Sequence, residues 1–139
     1  MIFAQTLAHI IGYDVWFYIS HILLHTPQLY WIHKEHHVSR KLYFYDAYTG
    51  HWFESPFQSL GFLVPFLFWS YSPEVLLALF ILNVKGMLRH DERGTWIIGN
   101  HHLLHHEHFQ WNYGEYWIDS LCGTVYPKVD EQQRGLLYY

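Results

Sequence analysis

The sequence predicts an all-α fold, an integral membrane helical bundle with a histidine-rich helical cap on its cytosolic side. Three observations lead there. Of the 139 residues, 51% are hydrophobic, 21% aromatic and only 14% charged, against about 25% charged in a typical soluble domain. The apolar stretches are long and are divided by proline or turn residues rather than by strict alternation, which favours helices over strands. Histidines also gather in three short clusters, "HILLH" at 21–25, "HKEHH" at 33–37 and "HHLLHHEH" at 101–108. The mean hydropathy of -0.05 understates the apolar character, because His, Tyr and Trp score as polar or neutral yet tolerate a membrane interface. The length fits a single domain over residues 1–139.

The first element is a membrane helix. From Met1 to about Leu24 there is no Lys or Arg, and only Gln5, Thr6, His9, Asp14, Ser20 and His21 interrupt the apolar character. A helix of that length reaches roughly 36 Å, enough to span a bilayer. The segment lacks the cationic start and small-residue cleavage site of a signal peptide, so it reads as part of the working structure. Asp14, Tyr18, His21 and His25 follow at i, i+4, i+7 and i+11 and form one polar stripe. Its place in that stripe makes Asp14 a candidate acceptor for the ring N–H of a metal-binding imidazole.

Thr26-Pro27 ends this helix, since proline disfavours helical geometry in the residue before it. The stretch "QLYWIHKEHHVSRKLYFY" then reads as an interfacial amphipathic helix, rich in Tyr and Trp beside Lys34, Arg40 and Lys41. It would carry His33, His36 and His37 on one face at i, i+3 and i+4. After the loop "DAYTGHWFESP", a helical hairpin is expected, with arms at 54–69 and 73–88 and a tip at 71–74. Sixteen residues per arm make roughly 24 Å, short of a core about 30 Å thick, so the hairpin is tilted or re-entrant.

Charge placement orients this arrangement. All eight cations, Lys34, Arg40, Lys41, Lys85, Arg89, Arg93, Lys128 and Arg134, fall on one side of it, and the positive-inside rule makes that side cytosolic. Every histidine cluster falls there too. The net charge of -4 gives no basic footprint and excludes nucleic acid as a partner. The single cysteine, Cys122, excludes an intramolecular disulfide framework and a thiolate-rich zinc site, so histidine and carboxylate must supply any metal ligands.

In the last cluster His102, His105 and His106 repeat the spacing of His33, His36 and His37. Two or three imidazoles on one helical face bind one ion of iron, copper, zinc or nickel at about 2.0 to 2.2 Å. With His21 and His25 these make eight histidines, more than one ion can use, which points to two ions. A dinuclear all-histidine site with room for an exchangeable ligand suits oxygen activation. One such cluster alone would equally fit metal storage or a solvated polar face.

The segments "DVWFYISHILLHTPQLYWIHKEHH" and "HHLLHHEHFQWNYGEYWIDSLCGT" resemble the fatty acid hydroxylase/sterol desaturase superfamily of membrane di-iron oxidases, sterol desaturases most of all. The shared motifs are HxxxH at His21 and His25, HxxHH at His33, His36 and His37, and a final HxxHH at His102, His105 and His106. Asn112-Tyr113-Gly114 and the element from Asp119 to Thr124 follow them. The match covers about residues 13 to 127. The resemblance implies that these eight histidines ligate two irons, with zinc able to take their place in expressed protein. It implies His90 as a ninth ligand, and His51 and Asn112, like Asp14, as groups supporting the ligands. His101 and His108 lie outside the pattern as neighbours.

It further implies dioxygen as oxidant, a sterol or fatty acyl lipid as the substrate to be hydroxylated or desaturated in lipid biosynthesis, and electrons from NAD(P)H through a cytochrome b-type carrier protein. The implied location is the endoplasmic reticulum membrane. Members of the family open with a further transmembrane hairpin, which this chain is expected to lack; a homo-oligomer would supply the walls which that hairpin normally provides. The chain also departs from the family at Ile22 and Thr26, where a basic residue and a further histidine are usual, and at Cys122, where an aromatic is usual. The competing expectations are a non-catalytic metal-binding remnant and a hairpin-mediated partner of a full-length oxidase.

Overall fold

The computed structural model describes residues 2–39 and 41–137; Met1 and Arg40, both used in the sequence reading, lie outside the described residues. Every regular element among them is helical. In chain order these are α1 (Ile2–Leu24), α2 (Tyr30–His33), α3 (Glu54–Gln58), α4 (Glu74–Arg89), α5 (Thr95–Ile98), α6 (His101–His108) and α7 (Tyr116–Cys122). Short 3-10 segments lie at Phe44–Tyr48, Leu60–Leu67, Glu92–Gly94 and Val129–Glu131.

α1 is the one described helix long and apolar enough to cross a membrane. Its two faces invert the pattern of a water-soluble helix. Thr6, His9, Asp14, Ser20 and His21 are buried, whereas Phe3, Leu7, Ile11, Val15, Ile19 and Leu23 form an exposed apolar stripe at every fourth residue. α4 likewise exposes Leu76, Phe80 and Val84 while burying Lys85 and Arg89. Polar-in, apolar-out is the arrangement that a lipid surround would favour.

The expected hairpin is present in outline but not as two helical arms. Its second arm is the helix α4, whereas the first is the short α3 followed by the 3-10 segment Leu60–Leu67. Pro65 lies inside that segment and cannot donate to an α-helical ladder, and close packing asks for the tighter geometry too. Gly12 of α1 and Gly61 meet so closely that a Cβ built on Gly61 would lie 2.2 Å from the Gly12 carbonyl oxygen and from Trp16 Cβ. Trp16 Nε1 donates to the Phe57 carbonyl at 2.7 Å, and a ring nitrogen of His9 meets the Phe62 carbonyl at 2.7 Å. The first arm therefore runs back along α1, and Phe62, Val75, Ala78 and Leu82 form the core between it and α4.

The amphipathic helix expected after Pro27 is also shorter than its pattern. Only Tyr30–His33 is α-helical, and the chain continues in three-residue turns, His36 N–H to His33 O and His37 N–H to Lys34 O. These turns let His36 swing away from its neighbours, where its Nδ1 finds the Thr49 carbonyl at 3.0 Å.

Candidate metal centre

α1 carries His21 in its last turn, with His25 just past its end; α2 and its turns bring His33, His36 and His37; His90 follows α4 directly; and α6 presents His102, His105 and His106. The fold gathers these nine into two compact groups, His21, His25, His33, His37 and His105 in one, His36, His90, His102 and His106 in the other. Within each group the candidate ligand nitrogens lie within 4.8 Å of one another. The two HxxHH motifs interleave. The outer pair of the first, His33 and His37, joins one group while His36 crosses to the other. The outer pair of the last, His102 and His106, joins the second group while His105 crosses to the first.

The hydrogen positions decide what such groups can hold. His36 Nδ1 faces the Thr49 carbonyl at 3.0 Å and His90 Nδ1 the Gly86 carbonyl at 2.8 Å. A carbonyl only accepts, so both Nδ1 atoms carry the proton, and burial lowers the pKa of both rings and keeps them neutral. Their Nε2 atoms are therefore bare lone pairs, and they face each other at 3.0 Å. His21 Nδ1 and His105 Nδ1 are held in the same way by the Tyr113 and Trp111 carbonyls at 2.5 and 2.7 Å, and His33 Nδ1 by Glu54 Oε1 at 2.7 Å. Further Nε2 pairs stand at 2.8 to 3.2 Å: His21 with His33, His33 with His37, His25 with His105, His90 with His102, and His102 with His106. In the His36–His90 and His21–His33 pairs, where both protons are held on Nδ1, two bare nitrogens so close repel unless a cation lies between them. Nitrogens about 2.1 Å from a common ion and at right angles stand about 3.0 Å apart, so the donor set fits a transition metal in each group.

Outside α1, burial is the first cause lowering the pKa of these histidines, and the neighbouring rings add to it. His25, at the rim, falls to about 4. Neutral imidazole is the form that ligates, so at neutral pH the groups need shed no protons to accept a metal.

The carboxylates sit differently from the sequence expectation. Asp14 does not accept from an imidazole: its Oδ1 pairs with Lys85 Nζ at 2.6 Å, and Lys85 and Arg89 in turn reach Glu115 Oε1 at 3.2 and 2.6 Å. A buried cation supplied by α4 outcompetes a neutral ring for a buried carboxylate. Asn112 likewise hydrogen-bonds to no candidate ligand ring among the described residues. Its amide donates to the His101 carbonyl and accepts from Tyr126 N–H, fastening the loop after α6 with its own backbone at φ 58°. His51 packs edge-on against Trp31 at 5.2 Å and accepts from Phe53 N–H, at the wall of a cavity rather than against a ligand ring.

Glu54 takes the imidazole-supporting place instead. No local pattern marks it, because its partner His33 lies 21 positions upstream. Asp119 was visible only as a motif residue. It is fully buried and accepts from Tyr113 N–H, Gly114 N–H, Thr124 Oγ1 and His101, so it fixes the loop whose carbonyls hold His21 and His105. His101 and His108 stand outside both groups, His101 against Asp119 and His108 stacked on Tyr126 at 4.2 Å.

A cavity of about 270 Å³ opens between α1, α3 and α4, with rings of both groups in its wall, among them His21, His33, His36, His90 and His102, together with Phe62 and Leu82. The family model for fatty acid hydroxylases matches residues 6–124, which includes every histidine of both groups. The chain belongs to the fatty acid hydroxylase family. It is 28% identical over 133 residues to a Delta(7)-sterol-C5(6)-desaturase of Nicotiana tabacum, covering 78% of this chain and 49% of the relative. It is 29% identical over 134 residues to a Delta(7)-sterol 5(6)-desaturase of Gibberella zeae, covering 86% and 41%. The chain thus spans less than half the length of these curated relatives. No solved structure matches it.

Proposed function

We propose that this member of the fatty acid hydroxylase family is a membrane-embedded oxidoreductase that holds two irons in its paired histidine groups and uses dioxygen to hydroxylate or desaturate a lipid, a sterol ahead of a fatty acyl chain. The observation that carries the reading is the pair of bare imidazole nitrogens facing each other at 3.0 Å in each group, His36 with His90 and His21 with His33, their protons held on the far side of the rings. The sterol preference rests on the two desaturase relatives. The polar-in, apolar-out surface of α1 and α4 supports a bilayer setting, and the family supports the endoplasmic reticulum with the histidines on the cytosolic side.

Two irons would supply activation of dioxygen and removal of hydrogen from an unreactive C–H bond, with electrons from NAD(P)H delivered through a cytochrome b-type carrier protein. His21, His25, His33, His37 and His105 would hold one, and His36, His90, His102 and His106 the other. The chain's own contribution is position and exclusion. The Tyr113, Trp111, Thr49 and Gly86 carbonyls and Glu54 fix ring orientation and tautomer. Phe62 and Leu82 share the cavity wall with the rings, and such apolar side chains would limit water at a reactive centre and favour a lipid segment beside it. Hydroxylation and desaturation would then differ in whether the first carbon gains a hydroxyl or the neighbouring carbon loses a second hydrogen, a matter of about 1 Å in how the substrate sits.

Metal analysis of the detergent-purified chain, beside a His105→Ala/His106→Ala double variant, tests the centre. About two irons per protomer are expected, falling sharply in the variant because each group loses a ligand. Turnover of a Δ7-sterol under NAD(P)H and dioxygen, with a reductase and cytochrome b-type carrier added, tests the chemistry. Zinc alone would uphold the site and not the oxidase, since zinc has no redox chemistry. Absence of metal from both proteins would overturn the proposal.

A further inference from the structure

The hairpin's first arm turns its polar residues inward. In a segment whose Leu63, Val64, Leu67 and Phe68 are exposed, Glu54 and Gln58 of α3 are buried at 5% and 9% exposure, and both line the cavity. They stand at i and i+4, one helical turn apart. Glu54 is committed to His33 at 2.7 Å. Gln58 is different: its side-chain amide makes no hydrogen bond to any described residue, although it is more than nine-tenths buried. Two neighbours in the cavity wall are by contrast engaged, Tyr48 with Asn83 at 2.8 Å and Thr49 Oγ1 with the Asp46 carbonyl at 2.9 Å. Its carbonyl oxygen and amino group open to the cavity with both donor and acceptor uncommitted, which places them to hydrogen-bond an occupant.

The geometry points to Gln58 as the recognition group for a hydroxyl on the lipid that enters this cavity, which makes the substrate class an uncharged, alcohol-bearing lipid. This rests on reading the cavity as the substrate site of the proposed oxidase. A carboxamide both donates and accepts, which matches a hydroxyl's one donor and two lone pairs. An anionic headgroup fits poorly, because Arg89, the one Lys or Arg among the described residues lining the cavity, is already held by Glu115 at 2.6 Å.

The position also constrains the reaction. Trp16 Nε1 holds the carbonyl of Phe57, the residue before Gln58, and Trp16 precedes His21 by five residues on α1. That separation is about 7 to 8 Å along the helix axis. A lipid hydroxyl anchored at Gln58 therefore leaves carbons several bonds away at the level of the histidines. Gln58 is a specificity-determining residue placed at a fixed distance from the metal edge.

Equilibrium binding on the purified, metal-loaded protein in detergent tests this without turnover. Two probe pairs differ only in one hydroxyl: radiolabelled cholesterol against cholest-5-ene, and octadecanol against octadecane. The wild type is expected to prefer the alcohol about tenfold or more in at least one pair, the equivalent of about 1.4 kcal/mol. Gln58→Leu, and Gln58→Met as the variant that keeps side-chain length, should bring that ratio close to one while iron content and thermal midpoint stay at wild-type values. Equal wild-type binding of alcohol and hydrocarbon, failure of every probe to bind, or a preference that survives both substitutions would overturn the inference. Iron content and sterol turnover are measured on the same samples, so the two proposals fail separately. Iron and turnover without hydroxyl preference would sink this inference alone; hydroxyl preference without iron would sink the oxidase alone.

Discussion

Acidification should dismantle the metal-free protein well before it harms the metal-loaded one. His25 has a pKa of about 4 in the folded chain against 6.5 unfolded, and burial shifts His33, His37, His90, His102, His105 and His106 in the same direction. The folded pKa lies below the unfolded one, so as pH falls below 6.5 the unfolded chain takes up protons first and stability drops. The full contribution is present above pH 6.5, and for His25 it is lost progressively down to about pH 4. One pH unit below 6.5, each such group costs about 1.4 kcal/mol. Seven groups acting independently would set a ceiling of somewhat under about 10 kcal/mol at pH 5.5, similar to the whole stability of many proteins. The first ring to protonate opens its group and relieves the others, so the actual loss is smaller. A bound metal competes with protons for the same Nε2 atoms and shifts the transition to lower pH. Chelator-treated and iron-loaded protein followed by tryptophan fluorescence and far-UV circular dichroism from pH 8 to 4 gives the test. The expected midpoint without metal lies between about pH 5 and 6.5, with the loaded form clearly lower. Metal-free protein that keeps its signal to pH 4, or two forms that titrate together, would refute the linkage.

Other substitutions separate the supports of the centre. Glu54→Ala removes the acceptor of His33 Nδ1–H and should weaken metal binding about 10- to 100-fold in a chelator competition, with overall helicity retained. Asp119→Ala strips four hydrogen bonds from the loop over the first histidine group; both metal retention and thermal midpoint should fall, by about 2 to 4 kcal/mol in a denaturation experiment. Gly61→Ala forces a methyl group to within 2.2 Å of the Gly12 carbonyl oxygen and should cost about 1 to 3 kcal/mol of stability. Gly86→Ala, with nothing within 4 Å of its Cβ position, is the matched control that should cost nothing.

Eight of the histidine positions were legible because i,i+4 and i,i+3,i+4 spacings are local properties; the ninth, His90, came only from the family resemblance, and all nine enter the two groups. Their assignment to groups was not legible. An unbroken helix would have aimed His33, His36 and His37 the same way, and only the turns after α2 and the Thr49 carbonyl send His36 across. Asp14 and His21 were read as members of one polar stripe, yet the partner of Asp14, Lys85, lies 71 residues away and could not be paired from periodicity. The 3-10 arm carries a local signal in Pro65, but the deciding contact of Gly61 with Gly12 is again tertiary. Glu54 and Gln58 were invisible for the same reason, since a lone polar residue at the head of an apolar run looks like a solvated end until α1 and α4 enclose it.

Interleaving of the two HxxHH motifs has an energetic consequence for metal loading. His36 cannot reach its group unless the turns that also place His33 and His37 are formed, and His105 is carried on the same two helical turns as His102 and His106. Ordering either group therefore orders much of the other, and the second ion meets ligands whose conformational entropy has already been lost. Binding of the two ions should accordingly be positively cooperative: an iron titration of the metal-free protein at neutral pH should show little singly loaded species at half-saturation by native mass spectrometry. His36→Ala weakens one group directly, yet it should also lower the affinity of the other several-fold through the shared turn. Two independent sites, with a statistical amount of singly loaded protein and an unchanged first group in His36→Ala, would show that each group is ordered by its own contacts alone. The anchored carbonyls of Tyr113, Trp111, Thr49 and Gly86 set how large the coupling can be. The more firmly they hold the rings before any metal arrives, the less ordering is left for the first ion to contribute, so loosening the loop through Asp119→Ala should make loading weaker and more cooperative at once.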